Sequence, residues 1–434
     1  MNQIHVSGKK TLHGRISPSG NKNEALPAIC ACLLTNEPVV LRNVPRIIDV
    51  TNLITALASM GVAVSWLDEH SLRVHAQTVC VDRLDRECAA KLRGSFLLAA
   101  ALLWRSQAFF LPVPGGDRIG MRSLHVHFSA FEACGVQVRY TKKGYRLSWQ
   151  ELSCPGNIFL DEPSVMATEN VIMLVSRFAG TTVIENAAAE PHVQGLCHLL
   201  CAMGCTIEGI GSNRLTVHGR ESLSGAEHAI AMDHIEIGSF ISLAVATGSC
   251  VEIRCDIPRN IRPIVRVFRR LGVSLSLQQG WLAVDVTDTP VIRAPQGMRL
   301  LKVDDGPWPK FPTDLMSALI VAATQCKGNV LFFEKMFESR LFFVDELIRM
   351  GACIVQCDPH RIITMGPACL SGAYISSPDI RAGYALLIAA LAAEGISRIS
   401  NMWVINRGYE RPVAKLQALG ADVAFQREDA FPSR

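Results

Sequence analysis

The sequence predicts an α/β chain of two domains, each made of three repeated units with apolar helices inside and β-sheet outside. Three observations carry that expectation. The first is length, since 434 residues exceed what one ordinary core organises. The second is a recurring join in which an apolar helix stops at a small or apolar residue plus glycine and a strand follows. It occurs at Ser59-Met60-Gly61-Val62, Ala133-Cys134-Gly135-Val136 and Ala202-Met203-Gly204-Cys205, then at Arg270-Leu271-Gly272-Val273, Arg349-Met350-Gly351-Ala352 and Ala418-Leu419-Gly420-Ala421. The period is about 70 residues, and the glycine suits a helix C-terminus in the left-handed region. The third is helical segments with no polar face, at 96–104 and 384–393, which belong inside with sheet packed around them.

A second strand signal falls between these joins, at Glu37-Pro38-Val39, Gln107-Ala108-Phe109, Gly180-Thr181-Thr182, Ser249-Cys250-Val251, Asn329-Val330-Leu331 and Gly395-Ile396-Ser397. Each unit then reads strand, helix, strand, helix and a strand pair. The break between the two groups of three is expected near the polar stretch 222–228. The first strand, 3–6, can pair with the C-terminal half, a choice the sequence leaves open.

Composition narrows the function. The net charge of +4 is weak and no dense Lys/Arg block occurs, which argues against nucleic acid as a partner. The first residues lack the basic-then-apolar pattern of a signal peptide, and the longest apolar runs are too short to span a bilayer. Fifteen cysteines are scattered through apolar runs with no Cys-x-x-Cys, so reduced, buried thiols in a cytoplasmic protein are expected. Cys197, His198 and Cys201 fall on one helix, and Cys353, Cys357 and His360 on a strand and turn. Neither trio makes a four-ligand zinc set, so no metal and no cofactor are expected.

Several motifs could carry chemistry. Pro112-Val113-Pro114-Gly115-Gly116-Asp117-Arg118-Ile119-Gly120-Met121-Arg122 joins a strand to a helix expected from Ser123. Prolines and glycines around one acid and two arginines suit a lid over an anion that needs a proton moved, as well as an ordinary solvated turn. Lys22 and Asn23 lie near a helix start, where free N–H groups favour an anion, although a solvated lysine is the plainer reading. Arg93 enters an apolar helix either as a snorkelling end or as a clamp. Ser164 suits an N-cap or a phosphate contact. Asp314, in Phe311-Pro312-Thr313-Asp314, stands at a helix start, where Asp is ordinarily just a cap, and the prolines and aromatics that crowd it add to the case for proton transfer. Arg340, Arg381 and Arg407 are guanidiniums that would suit a small, multiply charged molecule if they converged.

Taken in order, Lys22-Asn23, Arg93, the 115–122 loop, Ser164-Val165, Asp233 with Glu236, Phe311-Pro312-Thr313-Asp314, Asp379 with Arg381, and Arg407-Gly408-Tyr409-Glu410 resemble the UDP-N-acetylglucosamine enolpyruvyl transferase family. The resemblance runs from Gly8 to Ala421. The shikimate-phosphate transferases share the fold but differ around Ser19-Gly20-Asn21-Lys22-Asn23. The resemblance implies two inside-out, barrel-like α/β domains, 23–229 and 1–22 plus 230–434, with the active site in the cleft between them. It implies transfer of enolpyruvyl from phosphoenolpyruvate to the sugar 3-hydroxyl, the first committed step of peptidoglycan precursor synthesis, with a bearing on cell shape and division. Lys22, Asn23, Arg122, Arg340, Arg381 and Arg407 would meet phosphoenolpyruvate. Arg93, Arg122, Ser123, Leu124, His125, Val126, Ser164, Val165, Asp314 and Met336 would face the UDP sugar. Lys22, Asp117 and Asp314 would be catalytic, with Asp314 taking the hydroxyl proton.

The sequence departs from that family at informative places. Asp117 stands where the loop usually carries cysteine. A carboxyl can do the same proton work if exclusion of water raises its pKa, but it is a poor target for fosfomycin, so resistance is expected. His125 replaces a frequent aspartate and Glu162 a lysine, changes that touch the nucleotide rather than the phosphoenolpyruvate cluster. Asn406 replaces a usual aspartate. Two further readings are the same chemistry on another acceptor, such as a nucleoside monophosphate, and a non-catalytic sugar-nucleotide-binding paralogue.

Overall fold

A computed structural model describes residues 2–117 and 119–427. It divides into two compact units, one of 20–117 and 122–231, the other of 1–19, 118–121 and 232–434. Each has its own apolar core, the first drawn from residues between Ala25 and Ile230, the second from Ile4 to Ile16 and Ile235 to Val423. The mean of one hydrophobic cluster per domain follows from how quickly a single core runs out of reach.

Among the described residues there are six sheets, three in each unit. Five have four strands on one plan: an edge strand parallel to its neighbour, then two antiparallel partners. In three of them a helix bridges the parallel step, Val165–Val175, Thr313–Thr324 or Ile380–Ala392, while the parallel pairs His13–Ile16 with Cys250–Arg254 and Glu227–Ala229 with Val39–Arg42 join strands far apart in the chain. In the clearest copy, Leu301–Asp304 leads through the helix Thr313–Thr324 to Gly328–Phe333, then through Val344–Arg349 to the hairpin Ile354–Asp358 and Arg361–Gly366. The sixth sheet, Ala108–Pro112, Gly144–Trp149 and Val136–Thr141, has three strands. All six join glycines have positive φ, between 85° and 107°, where a side chain would strain the backbone.

The sheets wrap helices that are apolar all round. In the 232–434 unit these are His234–Thr247, Thr313–Thr324 and Ile380–Ala392, with nearly every residue buried. In the 20–231 unit they are Lys22–Ala31, Leu98–Leu103 and Val165–Val175. Their polar ends are fixed by caps: Asn21, Ser164, Asp233 and Asp379 each accept a hydrogen bond from an N–H of the first turn. The helix expected over 96–104 is shorter, because Arg93–Leu97 forms a 3₁₀ turn first. The helix expected from Ser123 starts at His125, whose N–H bonds the Ser123 hydroxyl at 3.2 Å.

The N-terminal strand Asn2–Ser7 lies between Ile396–Ser400 and Asp422–Arg427, antiparallel to both. The next, His13–Ile16, runs parallel to Cys250–Arg254. Both complete sheets of the 232–434 unit. Of the fifteen cysteines seven are buried, but Cys154, Cys250, Cys353, Cys357 and Cys369 are exposed, so the expectation of buried thiols holds only in part.

Candidate active site

In the 232–434 unit the helix starts gather charge. Asp314 is the second residue of its helix and sits between two arginines. Arg340 Nη2 donates to Oδ1 at 3.0 Å, and Arg381 donates to Oδ2 through Nη2 at 3.1 Å and Nε at 3.3 Å. The arginine side chains are 1% and 5% exposed while Asp314 is 28% exposed, so the open face of the trio is the carboxylate. Arg340 Nε and Arg381 Nη1 are buried without a hydrogen-bond partner among the described residues. Buried guanidinium N–H groups left unmatched are costly, and a bound anion would satisfy them.

Arg381 is held from several sides. Its backbone N–H bonds the Asp379 cap at 2.8 Å, and its guanidinium lies 5.1 Å from the centre of the Tyr409 ring. Tyr409 stacks on Tyr384 with ring centres 4.0 Å apart. Burial works against the Arg381 charge, but Asp314, Tyr409 and Asp233 outweigh it and raise its pKa. Burial raises Asp233 despite the nearby Arg381. Glu236 accepts from Lys415 Nζ at 2.6 Å and from the Ser19 N–H at 2.6 Å, while the Ser19 hydroxyl donates to Glu410 at 2.7 Å. Arg407 ends the 3₁₀ helix Met402–Arg407 and is half-buried. Met336 is exposed in the turn after Gly328–Phe333.

The 20–231 unit holds a second set. Lys22 is the first residue of its helix, and its Nζ bonds Asp49 Oδ2 at 2.7 Å, an acid only 2% exposed. Asn23 beside it is half-buried. Arg93 Nη2 donates to Arg122 O at 2.6 Å, and Arg122 Nη2 donates to Asp117 O at 2.7 Å, which ties the glycine loop to the Arg93–Leu97 turn. Burial and the Arg122 charge lower Arg93 to about 10. Gly116 has φ +114°, and a Cβ there would lie 2.8 Å from Arg93 Cβ. Loop residues grouped with the 232–434 unit are fixed by bonds from Ser339 N to Ile119 O at 3.0 Å and from Met121 N to Glu338 Oε2 at 3.3 Å. Arg118 lies outside the described residues.

The remaining expected residues fall as follows. Ser164 caps Val165–Val175, accepting from Ala167 N at 3.4 Å, and Val165 follows it half-buried. Ser123 and His125 are exposed, as is Glu162. Leu124 and Val126, expected to face the nucleotide, spend their side chains in the apolar core, so only their main chain is left for a ligand. Sequence reasoning missed Asp49, Tyr384 and Lys415. Asp49 looks like any acid in the first turn of a helix, and its pairing with Lys22 depends on packing between two helices. Among the described residues no group of three His, Cys, Asp or Glu side chains is placed to hold a metal.

The description EPSP synthase (3-phosphoshikimate 1-carboxyvinyltransferase) belongs to the family model that matches residues 6–416. A UDP-N-acetylglucosamine 1-carboxyvinyltransferase of Bradyrhizobium diazoefficiens is 48% identical over 422 residues, covering 97% of both chains. The chain belongs to the UDP-N-acetylglucosamine 1-carboxyvinyltransferase family. Another member, from Treponema pallidum, is 45% identical over 98% of this chain and 99% of its own. Among solved structures, the enolpyruvyl transferase NikO from Streptomyces tendae superposes with a TM-score of 0.87 at 22% identity, covering 98% of this chain and 99% of that one. EPSP synthase from Acinetobacter baumannii gives 0.74 at 15% identity, covering 98% and 100%. These two establish the mixed α/β fold of enolpyruvyl transferases.

Proposed function

We propose that this chain transfers the enolpyruvyl group of phosphoenolpyruvate to the 3-hydroxyl of UDP-N-acetylglucosamine, releasing phosphate, and so serves peptidoglycan precursor synthesis. The observation that carries the reading is the trio of Asp314, Arg340 and Arg381 in a chain 48% identical to such an enzyme from end to end. Asp314 offers a half-buried but accessible carboxylate to accept the hydroxyl proton as the sugar oxygen bonds C2 of phosphoenolpyruvate. The methylene carbon takes a proton from an acid, which we assign to Asp117. Loss of that proton's equivalent and of phosphate then restores the double bond on the product. Lys22, Arg122, Arg381 and Arg407 match the anion's carboxylate and phosphate, with Arg340 supporting Asp314. Arg93, the main chain of 123–126 and the Ser164-Val165 turn are our choice for the sugar nucleotide.

Phosphate release from phosphoenolpyruvate, measured with UDP-N-acetylglucosamine, UMP or shikimate 3-phosphate as acceptor, tests this. Release with the UDP sugar alone is expected, and would make His125 and Glu162 tolerated variation. Release only with another acceptor would keep the chemistry and change the substrate. Tight sugar-nucleotide binding with no release would make the chain a binding protein.

A further inference from the structure

At the end of the parallel pair Leu301–Asp304 and Gly328–Phe333, Asp304 stands opposite Phe333, so the next residues, Asp305 and Glu334, are neighbours. Both are fully buried. Two carboxylates brought together away from water repel, and each loses its hydration. Asp305 Oδ1 accepts from the Lys335 N–H at 2.6 Å, but its buried Oδ2 receives no donor from any other described residue. The Glu334 carboxyl lies against the Asp305 side chain, so a proton on Glu334 supplies the missing donor.

Glu334 has further ties. Its Oε1 accepts from Thr313 Oγ1 at 3.0 Å and from the N–H groups of Met336 and Phe337, each at 3.2 Å. Thr313 opens the helix that carries Asp314, and the turn through Met336 and Phe337 leads to Arg340, which grips Asp314. One carboxyl thus ties both members of that ion pair to the same strand ends. We propose that Asp305 and Glu334 share one proton and act as a positioning pair that holds Asp314 and Arg340 in register.

The groups facing the pair come from each packed element: Thr313 from the helix, Arg340 from the turn, the Lys335 N–H, and His360, whose Nδ1 bonds Glu334 O at 2.8 Å. The ammonium groups of Lys310 and Lys335 are both spent on Asp304. Burial and Asp305 raise Glu334 far above the ordinary carboxyl range, against the opposing pull of Arg340 and Thr313. A carboxyl raised on folding favours the fold fully below its unfolded pKa, and that contribution is lost as pH climbs through the raised value.

The full chain tests the proposal in three ways. Infrared spectra near neutral pH should show a buried protonated-carboxyl band that vanishes in Glu334→Gln and in Asp305→Asn. Melting temperature should fall more steeply for the wild type than for Glu334→Gln between roughly pH 5 and pH 9. Neither readout depends on the transferase reading, on which only the kinetic arm rests. There Glu334→Gln, which keeps a donor for Asp305 and an acceptor for Thr313, should hold turnover within roughly threefold. Glu334→Ala should lose roughly ten- to a hundredfold in kcat with little change in KM. No carboxyl band and equal melting slopes would overturn the shared proton. Equal losses in the two Glu334 variants would overturn the positioning role.

Discussion

Asp314 is where single side chains matter most. Its two oxygens are each held by a different buried arginine, so truncation removes the assigned base and leaves two guanidiniums facing each other. Asp314→Ala is therefore expected to cut turnover by roughly two to four orders of magnitude, the range for a lost general base, while phosphoenolpyruvate binding largely survives. Steady-state kinetics beside a phosphoenolpyruvate titration would check it; near-normal turnover would put the base elsewhere. Asp117→Cys is expected to stay active and to become inactivated by fosfomycin in a time-dependent way, whereas the wild type resists. Loss of activity without sensitivity would count against the role assigned to Asp117. Asp314 was legible because prolines and aromatics crowd a helix start there. Its arginine partners were legible as charged residues but not as its partners, since Arg381 reaches it from the next unit of the repeat and Arg340 from a turn that only the fold brings back to it. Asp305 and Glu334 were not legible at all, because two acids at strand ends look like solvated charges until the register brings them together.

The elements were easier to read than their edges. The six join glycines announced the repeat because the left-handed backbone leaves few other choices. The central helices announced themselves because a helix with no polar face has nowhere to go but inside. Edges blurred where a 3₁₀ turn precedes the helix, at Arg93–Leu97, and where Ser123 lies two residues ahead of the helix His125–Ala133 and accepts from the His125 N–H. The glycine loop shows how an element constrains its function. Gly116 is left-handed and its missing Cβ makes room for Arg93. Gly116→Ala is expected to cost roughly 1–3 kcal/mol of local strain. That should appear as a fall in turnover of roughly tenfold or more with the melting temperature little moved, since the loop lies outside both cores. Parallel melting and kinetic measurements decide it; a large drop in melting temperature would mean the loop is part of the scaffold.

At the scale of the whole chain, the two cores share no residue, and every buried apolar residue of the first lies between Ala25 and Ile230. A fragment of 20–231 is accordingly expected to fold alone and melt in one cooperative transition, followed by near- and far-ultraviolet circular dichroism. A fragment with helical signal but no fixed aromatic environment would refute that. The two-part organisation was legible from length and from the repeat, but the sharing of strands was left open by the sequence, because pairing over such a distance leaves no local pattern. That sharing has a cost in time. The strand Asn2–Ser7 is made well before its partners Ile396–Ser400 and Asp422–Arg427, which come roughly 390 residues later, a wait of roughly 20–80 s at ordinary rates of synthesis. Through that interval the 20–231 unit can be finished while Ile4 and Val6 wait on an unpaired strand with no core to enter, a target for any chaperone that guards nascent chains.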